Sequence, residues 1–230
     1  MPTLAPDEID AVLLSLRVAG VATLASLPPG ILVAWLLARR QFPGKTLVDG
    51  IVHLPLVLPP VVTGYVLLIL FGRRGPVGGA LESCCGIVFS FRWTGAALAA
   101  AVMGFPLMVR AIRLSMETAD LRLEEASRML GAGPVRTFLT VTLPLALPGV
   151  LAGALLGFAK ALGEFGATIT FVSNIPGETR TLPAAIYTFT QVPGGDAGAA
   201  RLALVAVALS LGALLVSELL SRRLAARLAG

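Results

Sequence analysis

Two charges interrupt the apolar run from Leu143 to Val172: Lys160 and Glu164. They stand four residues apart, so on a helix they share a face and can pair. An unpaired charge at a bilayer centre costs about 2.5–3.5 kcal/mol on the insertion scale. Lys160 and Glu164 must therefore face protein, a water-filled path or each other. Two roles stay open, a structural ion pair and a gate, in which a carboxylate would discourage leakage at rest. Just beyond them, Thr168, Thr170, Ser173, Asn174 and Thr181 supply hydroxyl and amide donors, and Arg180 adds a positive charge. Such residues are also ordinary in outer loops.

A second constellation is a polar island, Leu121 to Gly131, between apolar runs. Asp120 can cap a helix start by accepting from the orphan amide N–H groups. Leu123, Ala126 and Leu130 then share one helical face, with Met129 beside them. Gly131 suits the helix end, and Pro134 suits the start of the next helix. A short amphipathic helix of this kind needs a partner for its apolar face, either the lipid interface or another protein.

Bond-making chemistry has no comparable foothold. The sequence contains no Walker A loop, no nucleophile elbow and no Rossmann fingerprint. His53 is the sole histidine, and Cys84 and Cys85 are adjacent, which gives no metal-ligand spacing. No metal site and no cofactor are expected.

The elements that position these residues are membrane spans. Mean hydropathy is +0.87. Charged residues make up 13% of the 230-residue chain, against roughly 25% in soluble domains. Apolar stretches near the ~20 residues that a span requires predict five transmembrane helices. They are Val18 to Ala38, extended outward to about Ile9; Ile51 to Phe71; Thr94 to Val109, continuing to about Met116; Leu143 to Val172; and Leu202 to Leu220. The fold class is all-α, a single polytopic helix bundle over residues 1–230. Met1 to Asp10 carries three acids and no base, unlike a signal peptide.

Several residues in these spans do more than face lipid. Pro28-Pro29-Gly30 interrupts the first, and Pro55, Pro59, Pro60 and Gly64 interrupt the second, so kinks are expected. Freed carbonyls are tolerated where they face protein or water, which makes Pro59 and Pro60 candidates for a translocation path as well as for packing irregularity. Gly149, Gly153 and Gly157 repeat along the fourth span and Ala161 continues the row. That stripe lets another helix approach closely, within the subunit or across a dimer.

Lys and Arg near span ends set the orientation. Arg39, Arg40, Lys45, Arg110, Arg113, Arg122, Arg128, Arg136, Arg222, Arg223 and Arg227 fall on one side. Arg73, Arg74, Arg92 and Arg180 fall on the other, with Arg17 and Arg201 near span entrances. The richer side is cytoplasmic, which puts the N-terminus outside, the C-terminus inside, Cys84 and Cys85 in an outer loop and the Leu121–Leu130 helix in the cytoplasm. The pI near 10.0 therefore reads as membrane topology, and nothing in the pattern points to nucleic acid.

Glu125-Ala126-Ser127, Gly131 and Val141-Thr142-Leu143-Pro144 resemble the cytoplasmic loop of importer-type ABC permeases, with Ser127 in place of Ala and Val141 in place of Ile. Gly163-Glu164-Phe165-Gly166-Ala167-Thr168 and its continuation through Ser173-Asn174-Ile175-Pro176-Gly177-Glu178-Thr179-Arg180-Thr181-Leu182-Pro183 look like the molybdate importer permeases. So do Phe42-Pro43-Gly44-Lys45, His53 through Pro60 and Gly104-Phe105-Pro106-Leu107. The resemblance runs from about residue 12 to 222. It implies a type I ABC importer permease of the prokaryotic inner membrane, carrying molybdate or tungstate, with sulfate or thiosulfate as the nearest alternative and an ATP-independent transporter or channel as the more distant one. It implies a non-catalytic pore subunit that pairs with a second copy of itself, with separate ATPase subunits and with an extracytoplasmic oxyanion-binding protein. Residues 117–142 would be the coupling loop, with Leu123, Glu125, Ala126, Met129, Leu130 and Gly131 meeting the ATPase. Pro59, Pro60, Lys160, Glu164, Thr168, Ser173 and Asn174 would serve the path or gate. A tetrahedral dianion favours N–H and O–H donors and need not meet a full countercharge, which the donors after Glu164 could satisfy.

Overall fold

The computed structural model describes residues 4–228; Met1, Pro2 and Thr3 and the last two residues lie outside the described residues. So do the side chains of Arg222, Arg223 and Arg227. Among the described residues every regular element is helical, and no strand occurs.

Helix α1, Pro6–Arg39, starts with Pro at its first turn, and the Glu8 carboxylate accepts the Ala5 N–H at 2.8 Å. The helix runs continuously through Pro28 and Pro29. Gly30 accounts for part of this. A Cβ there would stand 3.0 Å from Met108 Sδ, so the proline turn is pressed onto a neighbouring helix that holds it in place.

The second expected span is a broken pair. Helices α2, Lys45–Val57, and α3, Pro60–Phe71, meet at 115°. Leu58 is extended, as the residue before a proline is forced to be, and Pro60 opens α3 at a position where no donor is lost. Ile51 to Phe71 is thus not one straight helix. The connection that follows also folds: α4, Pro76–Cys85, carries both cysteines, free and exposed, at its end.

Helix α5, Trp93–Thr118, matches the third expected span. Helix α6, Leu121–Met129, is the amphipathic one. A short α7, Pro134–Thr137, continues through a π-helical stretch, Phe138–Thr142, into α8, Leu143–Leu162. The fourth expected span then breaks. Gly163 to Phe165 leaves helical geometry and a separate α9 covers Gly166–Val172. Helix α10, Leu182–Thr190, precedes α11, Asp196–Leu228. Among the described residues, four helices are long and apolar enough to cross a membrane, or five if α2 and α3 count as one span.

Helix α5 is the central post, packed against both α1 and α8, which also touch each other. Its buried Ala96, Ala97, Ala99 and Ala100 keep the helix axes close. The glycine stripe of α8 faces α5 within the same chain. A Cβ on Gly153 would lie 2.8 Å from Met108 O, and one on Gly149 would lie 2.9 Å from Ala111 O. The stripe therefore serves packing inside the subunit. Helix α11 lies outside, on α8 and α10. An ion pair between half-buried Arg201 and buried Glu8, Nη2 to Oε1 at 2.7 Å, pins its start to α1.

Candidate functional site

Helix α6 forms where the sequence places it. Asp120 Oδ1 accepts the Arg122 N–H at 2.9 Å, the cap that starts the helix. Gly131 holds φ +85°, a left-handed conformation that favours glycine, and closes it. Leu123, Glu125 and Ala126 are exposed, and Met129 and Leu130 are 83% and 89% exposed. A helix this short is marginal alone, yet it buries none of its large apolar side chains.

What it buries is a carboxylate. Glu124 is 4% exposed. Its Oε1 accepts from Arg39 Nε at 2.9 Å and its Oε2 from Arg128 Nη2 at 3.3 Å. Ser127 Oγ lies 3.3 Å from Thr137 Oγ1, a second tie, to the stretch that continues into α8. Between α6, the end of α1 and the π-helical stretch is a cavity of about 370 Å³ lined by Trp35, Arg39, Arg40, Glu124, Arg128 and Phe138, among others. Sequence reasoning missed Glu124 and Arg39. Helical periodicity sets Glu124 opposite the apolar face, which reads as solvent, and its partner lies 85 residues away.

The other candidate residues gather where two broken helices meet. Pro59 and Pro60 stand at the α2–α3 corner. A Cβ on Gly166 would lie 2.7 Å from Pro60 Cβ, and one on Gly64 would lie 2.9 Å from Ala167 Cα. The corner therefore packs directly on the start of α9, and the two irregular backbone segments face each other. Lys160 Nζ donates to Glu164 Oε2 at 2.9 Å. Glu164 is 2% exposed, and its Oε1 also accepts the Ala167 N–H at 2.9 Å, which caps α9. The Lys160 side chain is 32% exposed. The charged pair is thus asymmetric: the acid is enclosed with both oxygens engaged, and the lysine side chain is the partly exposed member. Thr168 is buried, with its hydroxyl donating to Phe165 O at 2.8 Å.

Ser173 and Asn174 lie apart from this cluster, past the far end of α9. Ser173 is exposed with φ +67°. Asn174 Nδ2 donates to Thr188 Oγ1 at 2.8 Å, while Arg180 Nε donates to Asn174 Oδ1 at 3.0 Å. Asn174 is thus engaged with Arg180 and with Thr188 of α10. No group of three potential metal-ligating side chains occurs among the described residues.

A polytopic helical protein with an exposed short helix on one side and two broken helices at its middle has the form of a transport permease. Residues 30–227 match the family described as the binding-protein-dependent transport system inner membrane component, and the chain belongs to that family. It is an integral membrane protein. It is 62% identical over 219 residues to the molybdenum transport system permease protein ModB of Escherichia coli strain K12, covering 95% of this chain and 96% of that one. It is 59% identical to ModB of Haemophilus influenzae, covering 96% of each. The probable sulfate transport system permease protein cysT of Chlorokybus atmophyticus is 36% identical over 79% of this chain and 63% of its own. Among solved structures, the fold superposes with TM-score 0.74 on a bacterial ABC transporter involved in import of the polysaccharide alginate, at 18% identity, over 95% of this chain and 80% of that one. The MetNI methionine ABC transporter gives TM-score 0.73 at 18% identity, over 94% and 95%.

Proposed function

We propose that this chain is the transmembrane permease subunit of an ATP-driven importer that carries molybdate, and tungstate with it, across the prokaryotic cytoplasmic membrane. The observation that carries the cargo is the 62% identity, over 95% of the chain, to a permease named for molybdenum transport. The relative named for sulfate is far less similar, at 36% identity, which favours molybdate over sulfate.

The whole chain acts as one transmembrane domain, with residues 117–142 as its coupling loop. Leu123, Glu125, Ala126, Met129 and Leu130 offer an apolar face with one acid to a separate ATPase subunit, and Gly131 sets the turn that presents them. The exposure of Met129 and Leu130 supports this reading, because a face left open on one subunit fits a groove on another. The path runs past the meeting of the two helix breaks, at Pro59, Pro60, Lys160, Glu164 and Thr168, with Ser173 and Asn174 nearer the outer mouth. Irregular backbone at membrane depth is tolerated where it is buried in protein or lines a water-filled cavity, which supports placing the path there. Two copies form the pore, and an extracytoplasmic binding protein delivers the oxyanion. The N-terminus is outside and the C-terminus cytoplasmic. ATP-driven closure of the ATPases draws the two α6 helices together and turns the pore outward; hydrolysis returns it inward. The chain itself makes and breaks no covalent bond.

The test is uptake of radiolabelled oxyanion into cells lacking their own molybdate importer, with this chain, its ATPase and its binding protein supplied together. Molybdate uptake should require the ATPase and be competed by tungstate more strongly than by sulfate. Uptake without the ATPase, or preferential sulfate uptake, would contradict the proposal.

A further inference from the structure

Helix α6 has three attachments to the transmembrane body, and they lead to different helices. Two are covalent: Ala119 and Asp120 join its start directly to α5, and past its end the chain runs through α7 and the π-helical stretch into α8, with Ser127 and Thr137 in contact across the turn. The third is electrostatic: Glu124 reaches Arg39, the last residue of α1. A buried carboxylate is costly unless its charge is matched and its oxygens are engaged. Both conditions hold at Glu124, because one oxygen takes Arg39 and the other takes Arg128 from α6 itself. Arg128 thereby fixes the carboxylate from its own helix, and Arg39 receives it from another.

Helix α1 is a suitable recipient. It has 34 residues, and its outer end is held by the Glu8–Arg201 pair, whose carboxylate is buried, and by Ser15 Oγ, which accepts the Leu182 N–H. Along its length it packs on α5 and α8. A displacement of its inner end is therefore carried as a rod movement toward the outer side.

We propose that the Arg39–Glu124 ion pair is a transmission link that makes α1 move together with α8 when α6 is displaced. Glu124 and Arg39 are positioning residues: they act through α1 and meet neither cargo nor nucleotide. Without the pair, motion of α6 is passed directly to α5 and α8, and reaches α1 only through their packing against it. The inference rests on the reading of the chain as an ATP-driven permease.

The test uses the full complex reconstituted in liposomes with molybdate-loaded binding protein. Glu124→Gln and Arg39→Gln should each keep ATPase association and basal hydrolysis, because the exposed face of α6 is untouched. Stimulation of hydrolysis by the loaded binding protein, and uptake with it, should fall by about tenfold. The double variant should be no worse than either single one, since both remove the same link. A covalent substitute gives the second readout. In a Cys84→Ser, Cys85→Ser background, Arg39→Cys with Glu124→Cys should be unstimulated until a short bis-maleimide bridges the two thiols, and stimulation should then recover. Full stimulation in Glu124→Gln would overturn the link. So would a bridged pair that stays unstimulated, which also decides the matter if Glu124→Gln fails to insert. An unstimulated parent complex would instead count against the proposed function.

Discussion

The glycine stripe of α8 allows a graded perturbation whose order follows from the packing. A Cβ at Gly149 would overlap Ser115 Cβ and come within 2.9 Å of Ala111 O. Both atoms are fixed to the α5 backbone, so no side-chain rotation relieves the clash. A Cβ at Gly153 would lie 2.8 Å from Met108 O and 3.4 Å from Met108 Cα. Ordinary contact begins near 3.5 Å, so the helices must part by roughly 0.5–1 Å there. A Cβ at Gly157 would meet Met108 Cε at 3.0 Å, the far end of a flexible side chain that can turn aside. Overpacking costs about 1–3 kcal/mol, and replacing Gly by Ala within a helix returns up to about 1 kcal/mol. Gly149→Ala should therefore lose about 2 kcal/mol or more, Gly153→Ala about 1 kcal/mol, and Gly157→Ala close to nothing. A chain of this size changes its melting temperature by about 2–4 °C per kcal/mol. Thermal melts of the purified protein in detergent, read by size exclusion, should rank Gly149→Ala lowest and Gly157→Ala beside the parent. Gly153→Leu should fall below Gly153→Ala. An unchanged melt for Gly149→Ala, or Gly157→Ala as the least stable, would refute the packing argument.

Three other perturbations address function. Gly131→Pro cannot adopt the left-handed φ of +85°, and Glu125→Arg reverses an exposed charge on α6; both should insert normally, lose ATPase association in copurification and abolish uptake. A membrane-impermeant thiol reagent should label Cys84 and Cys85 from outside in intact spheroplasts, whereas a cysteine placed at Leu130 in a Cys84→Ser, Cys85→Ser background should label only in inverted vesicles; the opposite pattern would reverse the orientation. Lys160→Met should lower uptake and also lower the melting temperature, because it leaves the buried Glu164 carboxylate without its countercharge, whereas Lys160→Arg should keep the melting temperature. Glu164→Ala should destabilise by about 1–3 kcal/mol, since it strips the acceptor from the buried Ala167 N–H, and full uptake by Lys160→Met would remove that residue from the path.

The spans that are simple in the sequence are simple in the structure. Helices α1, α5 and α11 follow from apolar length alone, and α6 follows from the Asp120 cap and the spacing of Leu123, Ala126 and Leu130. The breaks were harder to read, because hydropathy carries no information about direction. Pro59-Pro60 signals a local fault, but a 115° corner also depends on what α3 packs against, here the start of α9 at Gly166. The break at Gly163–Phe165 contains no proline; Glu164 accepts the Ala167 N–H and so starts a new helix, a choice made by tertiary contacts. Pro28-Pro29 is the reverse case, two prolines inside a continuous helix that packs closely on Met108 at Gly30. Lys160 and Glu164 pair as their spacing implies, but across the end of α8 rather than along one helix. The Arg39–Glu124 pair joins residues 85 apart, beyond the reach of any periodicity.

The central claim is that this chain couples ATP hydrolysis on separate subunits to oxyanion import. Its most direct test is ATP hydrolysis by the reconstituted complex as a function of the anion on the binding protein. Molybdate-loaded and tungstate-loaded binding protein should stimulate hydrolysis well above the basal rate, and sulfate should leave it near basal. Equal hydrolysis under all three conditions, or stimulation by sulfate above molybdate, would contradict the account.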